Sequence, residues 1–510
     1  MIHKKNIYRA MLVISFLAIN AVIIYGIAAA WSFLNTGADK SSMLHIGQDL
    51  EMIYQPKIKW TLEKQKGRKM EKQTLVDLEK DYLGAWYAKN LALNNYVYDG
   101  IADYYTQDAR SSLLELLEHN KSIDIQTKST TLLHHPTLEF YSLDGKLVVL
   151  TDHNVEQYDQ VYESGNFIHA KKSKSTYKVI MLLEDGFWRI RQLIKVSSEH
   201  LPVSVLDKTE DIPVQGLKGI NYYPKEQAWN MFGDQFNEQA IKTDFALLEK
   251  MDMNAIRIFV PYEASGGANL KNEYLEQLST LLDIAQEHNL KVLITLFDFY
   301  GNYSISDWTL THRHAEQLVT HLKDHSSLLG WDIKNEPDLD FEQRSETLVK
   351  AWLTEMVQQI REWDASHPIT IGWSNPGAAT HLSEYVDFVS FHYYEDAEEL
   401  PARYSKLKEN VDKPIVLQEY GKSSYSGFWN LFLGSQSGQA KYHSNIQTFL
   451  NKEQLPFFIW TLHDFDHIPN SVVGKLPWRK AYQKRFGLLN NKGEKKPAYD
   501  VIIKNGKGDN

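Results

Sequence analysis

The sequence predicts a parallel (β/α)8 barrel, preceded by a small α+β domain and, at the N-terminus, one membrane-spanning helix. Three observations predict it. From Gly216 onward, short apolar runs alternate with amphipathic helical stretches eight times over. Between residues 74 and 200, two helical patterns give way to segments of period two. At the start, Ala10 to Leu34 is an uncharged, mostly apolar stretch of 25 residues. With 510 residues, 43% hydrophobic and 24% charged, the chain is globular and large enough for more than one core. A net charge of −10 weighs against a nucleic-acid partner. The chain has no cysteine, which excludes disulfides, thiolate catalysis and cysteine-ligated metal.

As a helix, the first apolar run is roughly 37 Å long and crosses a bilayer. Lys4, Lys5 and Arg9 precede it, so residues 1–9 are expected to stay cytoplasmic, with the remainder exported. The competing reading is a cleaved signal ending near Ala28-Ala29-Ala30, which would release the chain. Residues 35–73 read as a stalk, lysine-rich from Lys57 to Lys72 and broken by Gly67.

Leu75, Leu78, Tyr82 and Trp86 recur at helical spacing, and Asp99 to His119 gives a second helix. Strands follow at Leu138–Leu143, Lys146–Val155, Tyr177–Leu183 and Phe187–Val196, joined by Asp144-Gly145 and Asp185-Gly186 turns. His134, His135, Asp152 and His153 are expected at solvated strand positions. The order of elements, with its closing Asp-Gly-Phe-Trp-Arg-Ile, resembles the nuclear-transport-factor-like or SnoaL-like cone fold. That resemblance implies a spacer, self-association or glycan-contact module.

Residues 201–215, with Pro202 and Pro213, read as a linker into the barrel of residues 216–505. Its strands are expected at Lys218–Tyr223, Ala255–Pro261, Lys291–Phe297, Leu329–Ile333, Ile369–Trp373, Phe388–His392, Ile415–Glu419 and Phe457–Leu462. Pro337 has no amide hydrogen and restricts Glu336, so strand four must stop there. Polar or aromatic residues end nearly every strand: Tyr222-Tyr223, Tyr262-Glu263, Asp298-Phe299-Tyr300, Asn335-Glu336, Trp373-Ser374-Asn375, His392-Tyr393-Tyr394, Glu419, and Trp460 through Asp464, with Arg257 inside strand two. In a barrel these ends meet at one mouth. Two acids, an arginine, a histidine, an amide and indoles suit a sugar, because polar groups hold hydroxyls and flat rings cover C–H faces. No glycine-rich phosphate loop or metal-ligand spacing is present, so no cofactor and no metal is expected.

Asn-Glu-Pro after strand four, Glu after strand seven, His-x-Tyr after strand six and Trp on strand eight together resemble the retaining glycoside hydrolases of clan A, and family 5 above all, from about Gly216 to Val501. The resemblance implies Glu336 as acid/base and Glu419 as nucleophile. It implies Asn335 on the sugar 2-hydroxyl, Arg257 and Tyr394 orienting Glu419, His392 lining the pocket and Trp460 as the −1 platform. Tyr222, Asp298 and Trp373 join them as rim residues expected to meet substrate. An arginine beside Glu419 would keep it ionised, and that charge would help hold Glu336 protonated. Leu296-Phe-Asp-Phe-Tyr-Gly301 departs from the His-Asn-type turn of cellulases and resembles the mannanase loop, which makes cellulose a poor expectation. His312 and His314, on the following helix, are expected at the surface.

The expected function is therefore a membrane-anchored, extracytoplasmic retaining β-glycosidase acting on a β-mannan, β-glucan or cell-surface polysaccharide. A transglycosylase and a non-catalytic glycan-binding scaffold are the alternatives. The long loop holding Tyr425, Phe428, Trp429 and Phe432 is either a lid or plus-subsite wall, or a satellite core. Around Trp478 several basic residues leave room for contact with an acidic polysaccharide.

Overall fold

The computed structural model describes residues 53–63, 65–98, 100–202 and 212–506, with positions 20, 23 and 24. Among the described residues no helix is long and apolar enough to cross a membrane. The 10–34 run expected to do so lies, apart from those three positions, outside them. So does most of the 201–215 linker. The chain divides into two compact units, Met1–Leu201 and Pro202–Asn510.

In the first unit α1 (Lys72–Asn95), α2 (Ile101–Tyr104) and α3 (Gln107–Ser122) precede four long antiparallel strands: β3 (Ile125–Tyr141), β4 (Leu147–Glu163), β5 (Asn166–Glu184) and β6 (Phe187–Leu201). The second expected helix is broken at Tyr105, whose extended backbone bridges to Ile190. The strands run well beyond the expected segments, because Ser164-Gly165 makes a third tight turn with both residues at positive φ. Trp86, Tyr82, Leu138, Val148, Leu150 and Trp188 are part of the core between α1 and the sheet.

Two expectations fail here. The lysine-rich stretch is no free stalk: β1 (Lys57–Ile58) and β2 (Lys66–Gly67) pair in parallel with β3, and Tyr54 is buried in the core. Backbone ladders need no apolar side chains, so the composition hid them; Lys59 N donates to His134 O (3.0 Å) and Arg68 N to Tyr141 O (2.9 Å). His134 and Asp152 are not solvated either but wholly buried. His134 Nδ1 lies 2.7 Å from Asp152 Oδ2, which also accepts from the Tyr82 hydroxyl at 2.7 Å, and Asp152 Oδ1 accepts from the His135 amide at 2.7 Å. Burial is tolerated because each polar atom finds a partner. Asp152→Ala strands three donors at once and is expected to destabilise this unit by about 3–5 kcal/mol, read as a lower urea midpoint.

The second unit is a closed parallel barrel, ordered β10-β11-β12-β13-β14-β7-β8-β9. Its strands are β7 (Lys218–Asn221), β8 (Ala255–Pro261), β9 (Lys291–Asp298), β10 (Leu328–Asn335), β11 (Ile369–Trp373), β12 (Val389–Tyr393), β13 (Ile415–Tyr420) and β14 (Phe457–Ile459). All eight expected strands are present, within a few residues at each end. Between β11 and β12 the short crossover holds a 3-10 turn, Ala378–Thr380. Outer helices include α4 (Glu238–Lys250), α5 (Asn272–Glu287), α6 (Trp308–Leu322), α7 (Glu346–Trp363), α8 (Leu400–Asn410) and α9 (Gln436–Glu453). Asn237 caps α4 by accepting from Ala240 N at 3.0 Å, and Ser435 caps α9 by accepting from Gly438 N at 2.9 Å.

Leu217, Ala255, Leu293, Leu329, Phe388, Val416 and Phe458 form an apolar plug at the strands' N-terminal ends. Further along the strands the buried residues turn polar: Asn221, Arg257, Thr295, Asp332 and Gln418. One end of the barrel is thus built for stability and the other for chemistry. His312 and His314 are buried, against expectation. They lie on the inward side of α6, where His314 sits between the Gly267 and Leu296 carbonyls and His312 Nδ1 lies 2.6 Å from Trp308 O. Burial holds the His314 imidazole down to about 4.

Candidate active site

Arg257 organises the mouth. It is wholly buried, and its guanidinium reaches Glu419 Oε2 (3.1 Å), Asp332 Oδ2 (2.6 Å), Asn335 Oδ1 (2.9 Å), Asn221 Oδ1 (3.1 Å) and Thr295 Oγ1 (3.0 Å). A buried cation is tolerated only when charges and hydrogen bonds surround it, and two carboxylates do so here. Gly372 makes the room: a Cβ there would stand 2.9 Å from Arg257 Nη2 and 2.5 Å from Gln418 Oε1. Asp332 also accepts from Thr295 Oγ1 (2.6 Å) and Gly372 N (2.9 Å), which fixes Arg257 from behind.

Glu419, at the end of β13, is 7% exposed. One of its oxygens accepts from Arg257 and the other from the Tyr394 hydroxyl. Burial first, then the neighbouring Glu419 charge, pushes the Tyr394 phenol well up, so it stays a donor. Glu419 is therefore a carboxylate held in one orientation through both of its oxygens.

Glu336 follows β10 in the left-handed region, φ 48° and ψ 50°. The pre-proline restriction does keep it out of right-handed helix, but the escape is to this uncommon region and not to extended backbone. Its amide donates to Gly372 O at 2.6 Å, which holds the turn. Its Oε1 lies 2.9 Å from His392 Nδ1, whose other nitrogen faces Gln418 Oε1 at 3.4 Å. Burial alone would raise Glu336, but the hydrogen bond and charge of His392, with Arg257 and Lys334, bring it below the ordinary glutamate value. Burial likewise opposes charge on His392, yet Glu419 and Glu336 together raise it. Glu336 and His392 thus form one acid–base pair across a hydrogen bond, a partner that the expectation built on the two glutamates alone did not include.

The ligand-type atoms of Glu336, His392 and Glu419 all lie within 4.8 Å of one another. That cluster has the donors for a cation, but Glu419 is already bonded to Arg257 and Glu336 to His392. An oxygen of each glutamate within that distance matches a pair in which one acid attacks directly; an intervening water needs a wider gap.

Around the pair is a cleft of about 670 Å³, lined by Trp229, Phe259, Asp298, Phe299, Tyr300, Asn335, Tyr394 and Trp460 among others. Trp229 and Trp460 meet at 5.5 Å between centroids, and Tyr223 stacks on Phe259 at 5.3 Å. The Trp460 indole N–H has no acceptor among the described residues. Burial pushes the Asp298 carboxyl up to about 6.

Three rim expectations are corrected. Tyr222 points away from the cleft, packs on Phe245 and donates to Asp244 Oδ2 at 3.0 Å. Trp373, buried, packs against Phe341 and His381. His392 is fully buried beneath the glutamates and does not line the cleft. The parity of a strand explains the first two: Asn221 and Gly372 point inward, so the next residue points out. Asp332, Gly372, Trp229 and Phe259 were missed, although Asp332 and Arg257 are lone charges inside apolar runs, a signal that they pair.

Residues 210–466, just over half of the chain, match the model of the cellulase family, glycosyl hydrolase family 5. A mannan endo-1,4-beta-mannosidase of Solanum lycopersicum is 26% identical over 176 residues, covering 26% of this chain and 42% of that protein. The Homo sapiens beta-glucuronidase is 23% identical over 279 residues, covering 50% of this chain and 40% of that protein. The chain thus spans less than half the length of either relative. Among solved structures, an exo-beta-1,4-mannosidase from an Opitutaceae bacterium superposes with a TM-score of 0.46 at 18% identity, covering 57% of this chain and 58% of that one. With the matched segment spanning every barrel strand and both glutamates, the chain belongs to glycosyl hydrolase family 5.

Proposed function

We propose that this protein is a retaining β-glycosidase that cleaves mannan-type glycans by double displacement. One observation carries the reading: two carboxylates with oxygens within 4.8 Å, one held by Arg257 and Tyr394, the other by His392. Glu419 attacks the anomeric carbon and displaces the leaving oxygen, which takes from Glu336 the proton that this glutamate shares with His392 Nδ1. The charge Glu419 loses in forming the glycosyl ester leaves Arg257 facing Asp332 alone. Glu336 then removes a proton from water, which attacks the same carbon and frees Glu419. Asn335 offers its amide to the sugar 2-hydroxyl, and Trp460 offers a ring face and an unpaired N–H.

The glycan class rests on the mannanase relatives and on the Leu296–Gly301 loop. Release of reducing ends from β-1,4-mannan, with β-glucans and bacterial exopolysaccharides beside it, tests it; release from β-glucan alone would refute the mannan assignment. We further place the catalytic unit outside the cytoplasmic membrane, tethered by residues 10–34. The first unit we read as a nuclear-transport-factor-like module for spacing or self-association.

His392 and Glu336 share one proton, so they titrate as a pair. His392 lies above the ordinary imidazole value, so the pair keeps that proton to higher pH than a free imidazole does. In His392→Asn the carboxyl must hold the proton alone and gives it up earlier. The alkaline limb of kcat/KM is expected to move to lower pH, and an unmoved limb would contradict the pairing.

A further inference from the structure

The loop after β13 keeps its apolar side chains in water. Phe428, Leu431, Phe432 and Leu433 are 72, 78, 68 and 82% exposed, and Trp429 meets Trp478 at 5.6 Å between centroids. The satellite-core reading of this loop therefore fails. Sugars stack on flat rings, and leucines in this number and exposure give a hydroxylated chain nothing to bind. Soluble surfaces rarely leave so contiguous an apolar tip uncovered.

Charge distinguishes the occupant. No acidic residue lies between Glu419 and Glu453, or between Asp466 and Glu494, in a chain whose net charge is −10. The second interval carries Lys475, Arg479, Lys480, Lys484 and Arg485. Lys480 is engaged by Asn470 and Arg485 faces Asp464, but Lys475 and Arg479 are exposed on either side of Trp478. An apolar tip flanked by tryptophan and exposed cations is the pattern of a segment that lies in a lipid headgroup layer.

We propose that residues 428–433 together with Trp478 form a docking surface for an anionic lipid bilayer. The phenylalanines and leucines enter the headgroup boundary, and Lys475 and Arg479 meet lipid phosphates. The same segment supplies Ser471, Val472, Val473, Tyr482 and Gln483 to the cleft wall, so docking brings the cleft mouth to the lipid surface.

Because the chain has no cysteine, a single Leu431→Cys substitution carries one environment-sensitive fluorophore on the full chain. Mixed with vesicles of equal phosphatidylglycerol and phosphatidylcholine, the label is expected to shift to the blue and become protected from iodide. Pure phosphatidylcholine should give a smaller shift, as should the Lys475→Gln/Arg479→Gln double variant. Phe428→Cys gives a second position if the first folds poorly. A water-like emission at both positions with anionic vesicles overturns the proposal. So does a shift produced by soluble β-mannan and not by lipid, which would assign the loop to glycan.

Discussion

Glu419→Ala is expected to abolish hydrolysis, lowering kcat by on the order of 10⁴-fold or more while leaving glycan affinity in place. The reason is local. Arg257 and Tyr394 both spend hydrogen bonds on this one carboxylate. Asp332 is closer to Arg257 than Glu419 is, at 2.6 Å, but is wholly buried behind it and cannot meet a substrate. Binding of β-mannan by affinity electrophoresis, beside turnover, separates lost chemistry from lost folding. If the variant still hydrolysed its glycan at the parental rate, Glu419 would not be the nucleophile.

Glu336→Ala is expected to slow cleavage of natural glycans by about 10²–10⁴-fold, the usual contribution of a positioned acid. The loss should depend on the leaving group. A dinitrophenyl glycoside needs no proton to depart, so its first step should proceed near the parental rate and show as a burst. The second step then lacks its base and the glycosyl ester accumulates; added azide should rescue it, giving a glycosyl azide of retained configuration. Equal losses on phenyl and dinitrophenyl glycosides would remove Glu336 from the acid role.

How much of this was legible in the sequence differs from residue to residue. Glu336 and Glu419 could be found because chain-ending chemistry, a proline after one and a glycine two residues after the other, marks where barrel strands stop. Arg257 could be found as a lone cation in an apolar strand, yet the same logic applied to Asp332 passed unused. Tyr222 and Trp373 were misplaced because a strand end was treated as a ring of residues all facing the mouth. Alternation sends only every second one there, and fixing the phase on Arg257 would have corrected both. His134, Asp152, His312 and His314 were read as surface residues by composition; their burial depends on partners far away in sequence or on backbone carbonyls, which no local pattern encodes. The left-handed turn at Glu336 was hidden for a related reason, since the carbonyl of Gly372 that holds it arrives from the next strand.

The protonation scheme changed most between sequence and structure. Two acids in one pocket suggested that the charge of one keeps the other neutral. The structure inserts His392, whose Nδ1 is 2.9 Å from Glu336 and 3.9 Å from Glu419. A bridging base between two acids cannot be inferred from a His-x-Tyr spacing alone.

The most direct test of the central claim is the anomeric configuration of the first product, read by proton NMR within the first minutes of hydrolysis, before mutarotation. The close carboxylate pair predicts retention, with the β-anomer released first from a β-linked substrate. Release of the α-anomer first would mean a single displacement by water, and would contradict Glu419 as a covalent nucleophile.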